Sequence, residues 1–310
     1  MDIGQGITFG AGVSIEAAPT GIKNAIFGYG YNGSTTVSIT NLVSNTGVVA
    51  TDTTGVGTPR SQLAAAGYGV NKAIFGYGSG LTNITNLVSS LGVMASDTTG
   101  VGTARNELAA AGYGLDKAIF GYGYTGSITA ITNLVSNTGV VATDTSGVGT
   151  VRQGLAAASY GTDKSIFGYG NDAAFTDVSM TNLVSNTGVV ATDTTGVGTP
   201  RLRLAAAGYG TDKAIFGYGF HLPGYGQSMT NLVSNTGVVA TDTTGVGTPR
   251  TGIAAAGYSL DKAIFGYGNN SYPTNTNLSM TNLVSNTGVV ASDTTGVGTA
   301  RNVLAAAAYG

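Results

Sequence analysis

Arg301-Asn302-Val303-Leu304-Ala305-Ala306-Ala307-Ala308-Tyr309-Gly310 closes the sequence, and the block that follows such a stretch elsewhere, Ala-Ile-Phe-Gly-Tyr-Gly, does not follow it here. That block stands near the other end instead, as Ala25-Ile26-Phe27-Gly28-Tyr29-Gly30. Its six copies, one with Ser165 in place of the alanine, place their phenylalanines at Phe27, Phe75, Phe120, Phe167, Phe216 and Phe265, spaced by 48, 45, 47, 49 and 49 residues. A fixed period of this size is the signature of a repeat architecture, each repeat being one small unit that cannot bury its apolar face alone. Each block leads to a variable loop, then T-N-L-V-S-N-T-G-V-V-A-T-D-T-T-G-V-G-T-x-R, then L-A-A-A-G-Y-G and a turn such as Thr211-Asp212-Lys213; the second unit departs at Ser89 to Gly92.

Short β-branched and aromatic runs between glycine turns read as strands: A-I-F-G-Y, M-T-N-L-V-S and G-V-V-A-T-D-T. The alanine run is ambiguous, because Thr58-Pro59 before it and Gly67 after it also suit the caps of a short helix. A strand is preferred, since three alanines fit the crowded position nearest a central axis. The expected fold is all-β: a six-bladed β-propeller over residues 22–310, closed by pairing the tail strand with the head strand, with 1–21 as an attachment segment or extra strand. Closure removes exposed sheet edges, a liability for a chain with 9% charged residues. Ile15-Glu16-Ala17-Ala18 is a degenerate competitor for the same slot. A β-solenoid with two rungs per repeat is the alternative, but solenoids leave ends that need caps.

The order of arginine, small apolar strand, Asx-Lys turn, A-I-F-G-Y-G, variable loop and two further strands resembles a kelch-type repeat over about residues 22–310. Gly28-Tyr29-Gly30 stands where kelch repeats carry a glycine pair, but the chain has no tryptophan, so its core packing must differ. The resemblance implies a propeller and a binding function with no one ligand. Near-identical units with diverging loops, and the glycine-spaced segment G-Q-G-I-T-F-G-A-G-V-S-I, also resemble bacteriophage tail-fibre and adhesin proteins.

Composition narrows the function. Fifty-one glycines without a three-residue period exclude collagen, and a net charge of −2 with 13 Lys plus Arg gives no footprint for nucleic acid or anionic membrane. Cysteine is absent, which removes disulfides and thiolate metal sites. No apolar run approaches the roughly 18 residues of a membrane span, so no membrane insertion is expected. Met1 to Gly6 shows no secretory leader pattern. The expected location is a virion or extracellular surface assembly, otherwise the cytoplasm.

The charges recur in every unit, an aspartate and an arginine eight residues apart: Asp52 and Arg60, Asp97 and Arg105, Asp144 and Arg152, Asp193 and Arg201, Asp242 and Arg250, Asp293 and Arg301. A catalytic constellation normally occurs once; six copies read as structural ion pairs within or between blades, the arginine fork suiting a carboxylate. A turn lysine follows in five units, at Lys72, Lys117, Lys164, Lys213 and Lys262. His221, the one histidine, reads as a solvent-facing loop residue and forms no catalytic or metal motif. One carboxylate per D-T-T-G-V-G is too few for calcium. Asp172 and Asp177 share a loop, weak ground for a glycosidase. No cofactor, no metal and no enzymatic activity are expected.

What varies is the loop after A-I-F-G-Y-G, at Tyr31 to Val37, Ser79 to Asn83, Tyr124 to Ala130, Asn171 to Val178, Phe220 to Gln227 and Asn269 to Leu278. Of 16 tyrosines, the four outside the repeat pattern, Tyr31, Tyr124, Tyr225 and Tyr272, lie in these loops, joined by Phe175, Phe220 and His221. Rigid aromatic faces among Asn, Ser, Thr and Gly have the composition of a paratope. Neutral drift explains varying loop length but not the aromatic enrichment. The expectation is a binding scaffold of a phage fibre or surface assembly, gripping a cell-surface glycan or protein. The alternative is a purely structural virion component whose loops contact other subunits.

Overall fold

The structure is a computed structural model that describes residues 8–9, 13–14, 23–222, 224–271 and 274–310. The chain is all-β, and among the described residues no helix is long and apolar enough to cross a membrane. Thr8–Phe9 and Val13–Ser14 form a small antiparallel pair. The competing segment Ile15 to Ala18 lies outside the described residues.

Six three-stranded antiparallel sheets carry most of the rest, with two short pairs in the loops, Arg152–Gln153 with Asn171–Asp172 and Phe220–His221 with Tyr225–Gly226. In the second sheet, Ala64–Tyr68 turns through Gly69-Val70-Asn71 into Lys72–Gly76, which pairs in turn with Thr85–Val88. A bridged segment, 94–98, adds a fourth edge through Val88↔Met94 and Thr85↔Thr98. The alanine run is therefore a strand. The third to sixth sheets repeat this order from Ala109–Tyr113, Ala156–Tyr160, Ala205–Tyr209 and Ala254–Tyr258.

The first sheet is assembled from both ends of the chain. Ala305–Tyr309 pairs antiparallel with Asn24–Gly28, Ala306 opposite Phe27 and Ala307 opposite Ile26, and Thr40–Val43 completes it. The six alanine strands are neighbours in cyclic order, Ala305–Tyr309 touching both Ala254–Tyr258 and Ala64–Tyr68. Small side chains are needed there: a Cβ on Gly112 would lie 3.2 Å from the Gly67 carbonyl oxygen, and one on Gly257 3.2 Å from that of Gly208.

Backbone hydrogen bonds tie this cycle at both ends. On one side the amide of Gln62 donates to Val303, Glu107 to Gln62, Gly154 to Glu107, Arg203 to Gly154, Gly252 to Arg203 and Val303 to Gly252, a circuit that returns to its start. On the other, Gly69 donates to Asp116, Gly114 to Asp163, Gly161 to Asp212, Gly210 to Asp261, Ser259 to Lys23 and Gly310 to Asn71.

The core lies between sheets. Phe75 of the second sheet packs against Tyr29 of the first, ring centroids 5.7 Å apart, and the pattern repeats around the cycle to Phe27 against Tyr267 at 5.1 Å. The first glycine of A-I-F-G-Y-G makes room: a Cβ on Gly121 would meet Phe167 Cζ at 2.7 Å, and one on Gly266 would meet Phe27 Cζ at 2.7 Å. A tyrosine–phenylalanine wedge thus fills each junction between neighbouring sheets.

Candidate ligand-binding face

Above each wedge the chain turns sharply. The tyrosine of A-I-F-G-Y-G adopts a left-handed backbone, φ 63° at Tyr29 and 65° at Tyr169, and its buried hydroxyl donates to a carbonyl of the outgoing connection, Tyr29 to Val56 and Tyr169 to Val197. Burial raises the pKa of all six of these phenols, to about 12 at Tyr29, Tyr169 and Tyr267.

The arginine of the following T-x-R segment lies over that ring. Arg60 sits 4.5 Å from the Tyr29 centroid, donates from Nε to the Tyr77 carbonyl at 2.8 Å, and reaches Asn86 Oδ1 from Nη2 at 2.6 Å. Its carboxylate partner differs from the sequence pairing. Arg60 meets Asp97 at 3.9 Å, Arg201 meets Asp242 at 3.7 Å and Arg301 meets Asp52 at 3.8 Å, each the aspartate of the next repeat and none the one eight residues before. The reason is topological: the T-x-R segment has already crossed to the next sheet. Arg105, Arg152 and Arg250 stack likewise over Tyr77, Tyr122 and Tyr218. Arg105 reaches Asn133 Oδ1, and Arg152 and Arg250 reach Asn182 and Asn282.

The aspartates work mainly as hydrogen-bond acceptors. Thr58 donates to Asp97 through its amide and hydroxyl, as Thr103 does to Asp144, Thr150 to Asp193, Thr199 to Asp242, Thr248 to Asp293 and Thr299 to Asp52. Partial burial opposes ionisation of these carboxyls, but the threonine and asparagine donors and the nearby arginine outweigh it and hold all six below the ordinary range.

This frame delivers the variable loops and the segment after each arginine to the same face. Tyr31 pairs with Asn302, Ser79 with Ser61, Tyr124 with Asn106, Asn171 with Gln153, Phe220 with Leu202 and Asn269 with Thr251. The right-hand partners are of five kinds in six repeats, asparagine occurring twice, and so are the residues after them, Gln62, Glu107, Gly154, Arg203, Gly252 and Val303, with glycine twice. These last six form the hydrogen-bonded circuit, all with left-handed φ between 45° and 61°. They rim a cup of about 70 Å³ floored by Leu63, Leu108, Leu155, Leu204, Ile253 and Leu304. Sequence reasoning passed over these twelve positions, although aligning the six copies column by column isolates them. Arg203 reaches over Gly154 to Glu107, Nη2 to Oε1 at 2.5 Å, and Gln62 donates to the same oxygen at 2.8 Å.

The aromatic candidates differ in presentation. Phe175 and Tyr225 stand out at 65% and 57% exposure, and Tyr31 is 37% exposed with its hydroxyl donating to Gly33. Tyr124 and Phe220 are half-buried, and Tyr272 lies outside the described residues. His221 is not simply solvent-facing: it pairs with Tyr225 in a short hairpin, and its Nδ1 is buried 3.8 Å from Asp177 of the neighbouring loop. Asp177 is buried and accepts from the Leu222 amide, whereas Asp172 accepts from the amides of Ala174 and Thr176 in its own turn. The two carboxylates serve different loop contacts. Among the described residues no group of three His, Cys, Asp or Glu is placed to hold a metal.

No family model matches this chain, and no curated protein matches it. Among solved structures it is similar to one described as "Structure of YjhT", with a TM-score of 0.61 and 13% identity over 81% of this chain and 88% of that one. At that identity the likeness concerns the fold alone.

Proposed function

We propose that the six sheets are the blades of a six-bladed, kelch-like β-propeller, and that the chain is a non-catalytic binding scaffold. In this reading it is the receptor-binding part of a phage tail fibre or related surface assembly, and it grips a cell-surface glycan or protein through the loop face. The observation that carries the reading is where the repeats differ. Wedge, arginine stack and alanine strand are almost unchanged from unit to unit, while the loops and the twelve residues beside them vary and gather around one end of the axis.

The chemistry suits a polyhydroxylated or peptide ligand. Phe175 and Tyr225 offer flat apolar faces, the Asn, Ser and Thr of the loops offer adaptable donors and acceptors, and Arg203 offers a guanidinium at the axis. A glycan-array screen of the wild type against a Phe175→Ala, Tyr225→Ala variant tests this reading. Binding that the variant loses supports it; binding that the variant keeps, or no binding across glycan and host-surface protein panels, refutes it.

A further inference from the structure

The end of the axis away from the loops carries a charge pattern that breaks the repeat. There each alanine strand turns into its partner strand, and the hairpins surround a cavity of about 250 Å³ that shares no lining residue with the loop-side cup. Lys23, Lys72, Lys117, Lys164, Lys213 and Lys262 all line it. Five of these hold one place in the register, opposite the tyrosine of the alanine strand, but in the first sheet Asn24 holds that place, opposite Tyr309. The lysine of the first sheet stands one residue earlier, at 23, where the third to sixth sheets have Asp116, Asp163, Asp212 and Asp261 and the second has Asn71. Each aspartate holds its own lysine, at 3.2–3.4 Å. Among the described residues Lys23 and Lys72 have no carboxylate partner, and their two sheets are neighbours in the cycle.

A concave mouth lined by one sign of charge focuses its field and concentrates ions of the other sign. Six ammonium groups line this mouth, and the four aspartates do not. The four ion pairs are open to water, their lysine side chains 44–46% exposed, and exposed pairs are weak, so these lysines are free to turn to a stronger anion. We propose that the mouth binds a polyphosphate-type anion, a short chain of phosphate groups seated on the axis, with Lys23 and Lys72 as its principal contacts. Ammonium groups act as point charges that suit the rounded charge of phosphate, whereas a planar carboxylate is better met by an arginine fork. The cavity has room for several phosphate groups, and lysines from all six sheets surround it, so a chain of phosphates gains contacts that a single one does not. With a net charge of −2 the chain as a whole repels anions, which leaves the attraction to this mouth alone. The inference is independent of what the loop face binds.

The test is isothermal titration calorimetry of the purified full chain with sodium tripolyphosphate. One ion per chain is expected, bound more weakly as salt rises from about 0.05 to about 0.2 M. Lys23→Asp gives the first sheet the acid that four other sheets already carry, so circular dichroism is expected to stay unchanged while binding weakens about 10-fold or more. Lys72→Gln, at an exposed side chain, weakens it as well. Arg203→Gln, on the loop face, leaves it as it was. Tricarballylate, which carries its charge on carboxylates, is expected to bind about 10-fold less tightly than tripolyphosphate. ATP separates the sources of such a chain: equal affinity assigns the site to phosphate chains borne on larger molecules, weaker affinity to the free chain, and either supports the shared chemistry. No saturable heat, a stoichiometry other than one, wild-type affinity in Lys23→Asp or Lys72→Gln, loss of binding with Arg203→Gln, or tricarballylate binding as well as tripolyphosphate each overturns the proposal.

Discussion

Replacing Arg301 by methionine tests whether the head-to-tail sheet is an equal member of the cycle. Methionine keeps the apolar stem and removes the guanidinium. That group donates to the Tyr29 carbonyl at 2.8 Å, the Thr299 carbonyl at 3.1 Å and Asn41 Oδ1 at 2.6 Å, and lies 4.3 Å from the Tyr267 ring. Asn41 is fully buried, so its carbonyl oxygen loses a charged donor with no water to replace it. Breaking such a buried, charge-assisted set costs about 3–5 kcal/mol. With a urea slope of about 3 kcal/mol/M, the unfolding midpoint falls by about 1–1.7 M. Arg105→Met is the internal reference. It loses equivalent bonds to Tyr122, Thr103 and Asn133 at 2.9, 3.0 and 2.7 Å, but all of them lie within one stretch of chain. Both variants, followed by tyrosine fluorescence, are expected to lose the same stability in a single transition. If Arg301→Met cost less than about 1 kcal/mol while Arg105→Met paid in full, or if it produced a separate early transition, the closing sheet would be an ornament on an open stack.

Tyr29, Tyr169 and Tyr267 have pKa values raised to about 12 against an unfolded value of about 10, so the native state holds its phenolic protons more tightly. The stability this contributes is complete below about pH 10 and is lost as pH rises toward 12; ultraviolet titration is expected to show the exposed phenols ionising first and the buried set only with alkaline unfolding. Gly121→Ala drives a methyl group onto Phe167, 2.7 Å from Cζ, and is expected to cost about 1–3 kcal/mol in urea unfolding, whereas Gly80→Ala meets nothing within 4 Å and loses only what its φ of 82° costs.

Much of this arrangement was legible in the sequence because the repeat is split between the termini. A-A-A-A-Y at 305–309 lacks its second strand and Asn24–Gly28 lacks its first, so the register Ala306 to Phe27 follows from any internal unit. The alanines decided between strand and helix by volume, and the structure puts them where neighbouring strands come closest. The loop face was legible because loops that differ between otherwise equal units are easy to see. The arginine partners were not. Asp52 and Arg60 are neighbours in sequence, but the chain between them leaves one sheet for the next, so proximity along the chain names the wrong aspartate. In G-V-V-A the two valines look alike, and only the strand's two-residue period sends Val49 toward its bridge with Val43 and Val48 to solvent.

The interlocking of copies says which kinds of constancy carry information. Phe75 fits against Gly28 and Tyr29 of the preceding sheet, while Gly76 and Tyr77 receive Phe120 of the following one. A change in one unit's wedge therefore strains two junctions, and equal wedges follow from packing alone. The loop tips and the axial circuit have no such constraint: Gln62, Glu107, Gly154, Arg203, Gly252 and Val303 all make the same backbone bonds with unrelated side chains.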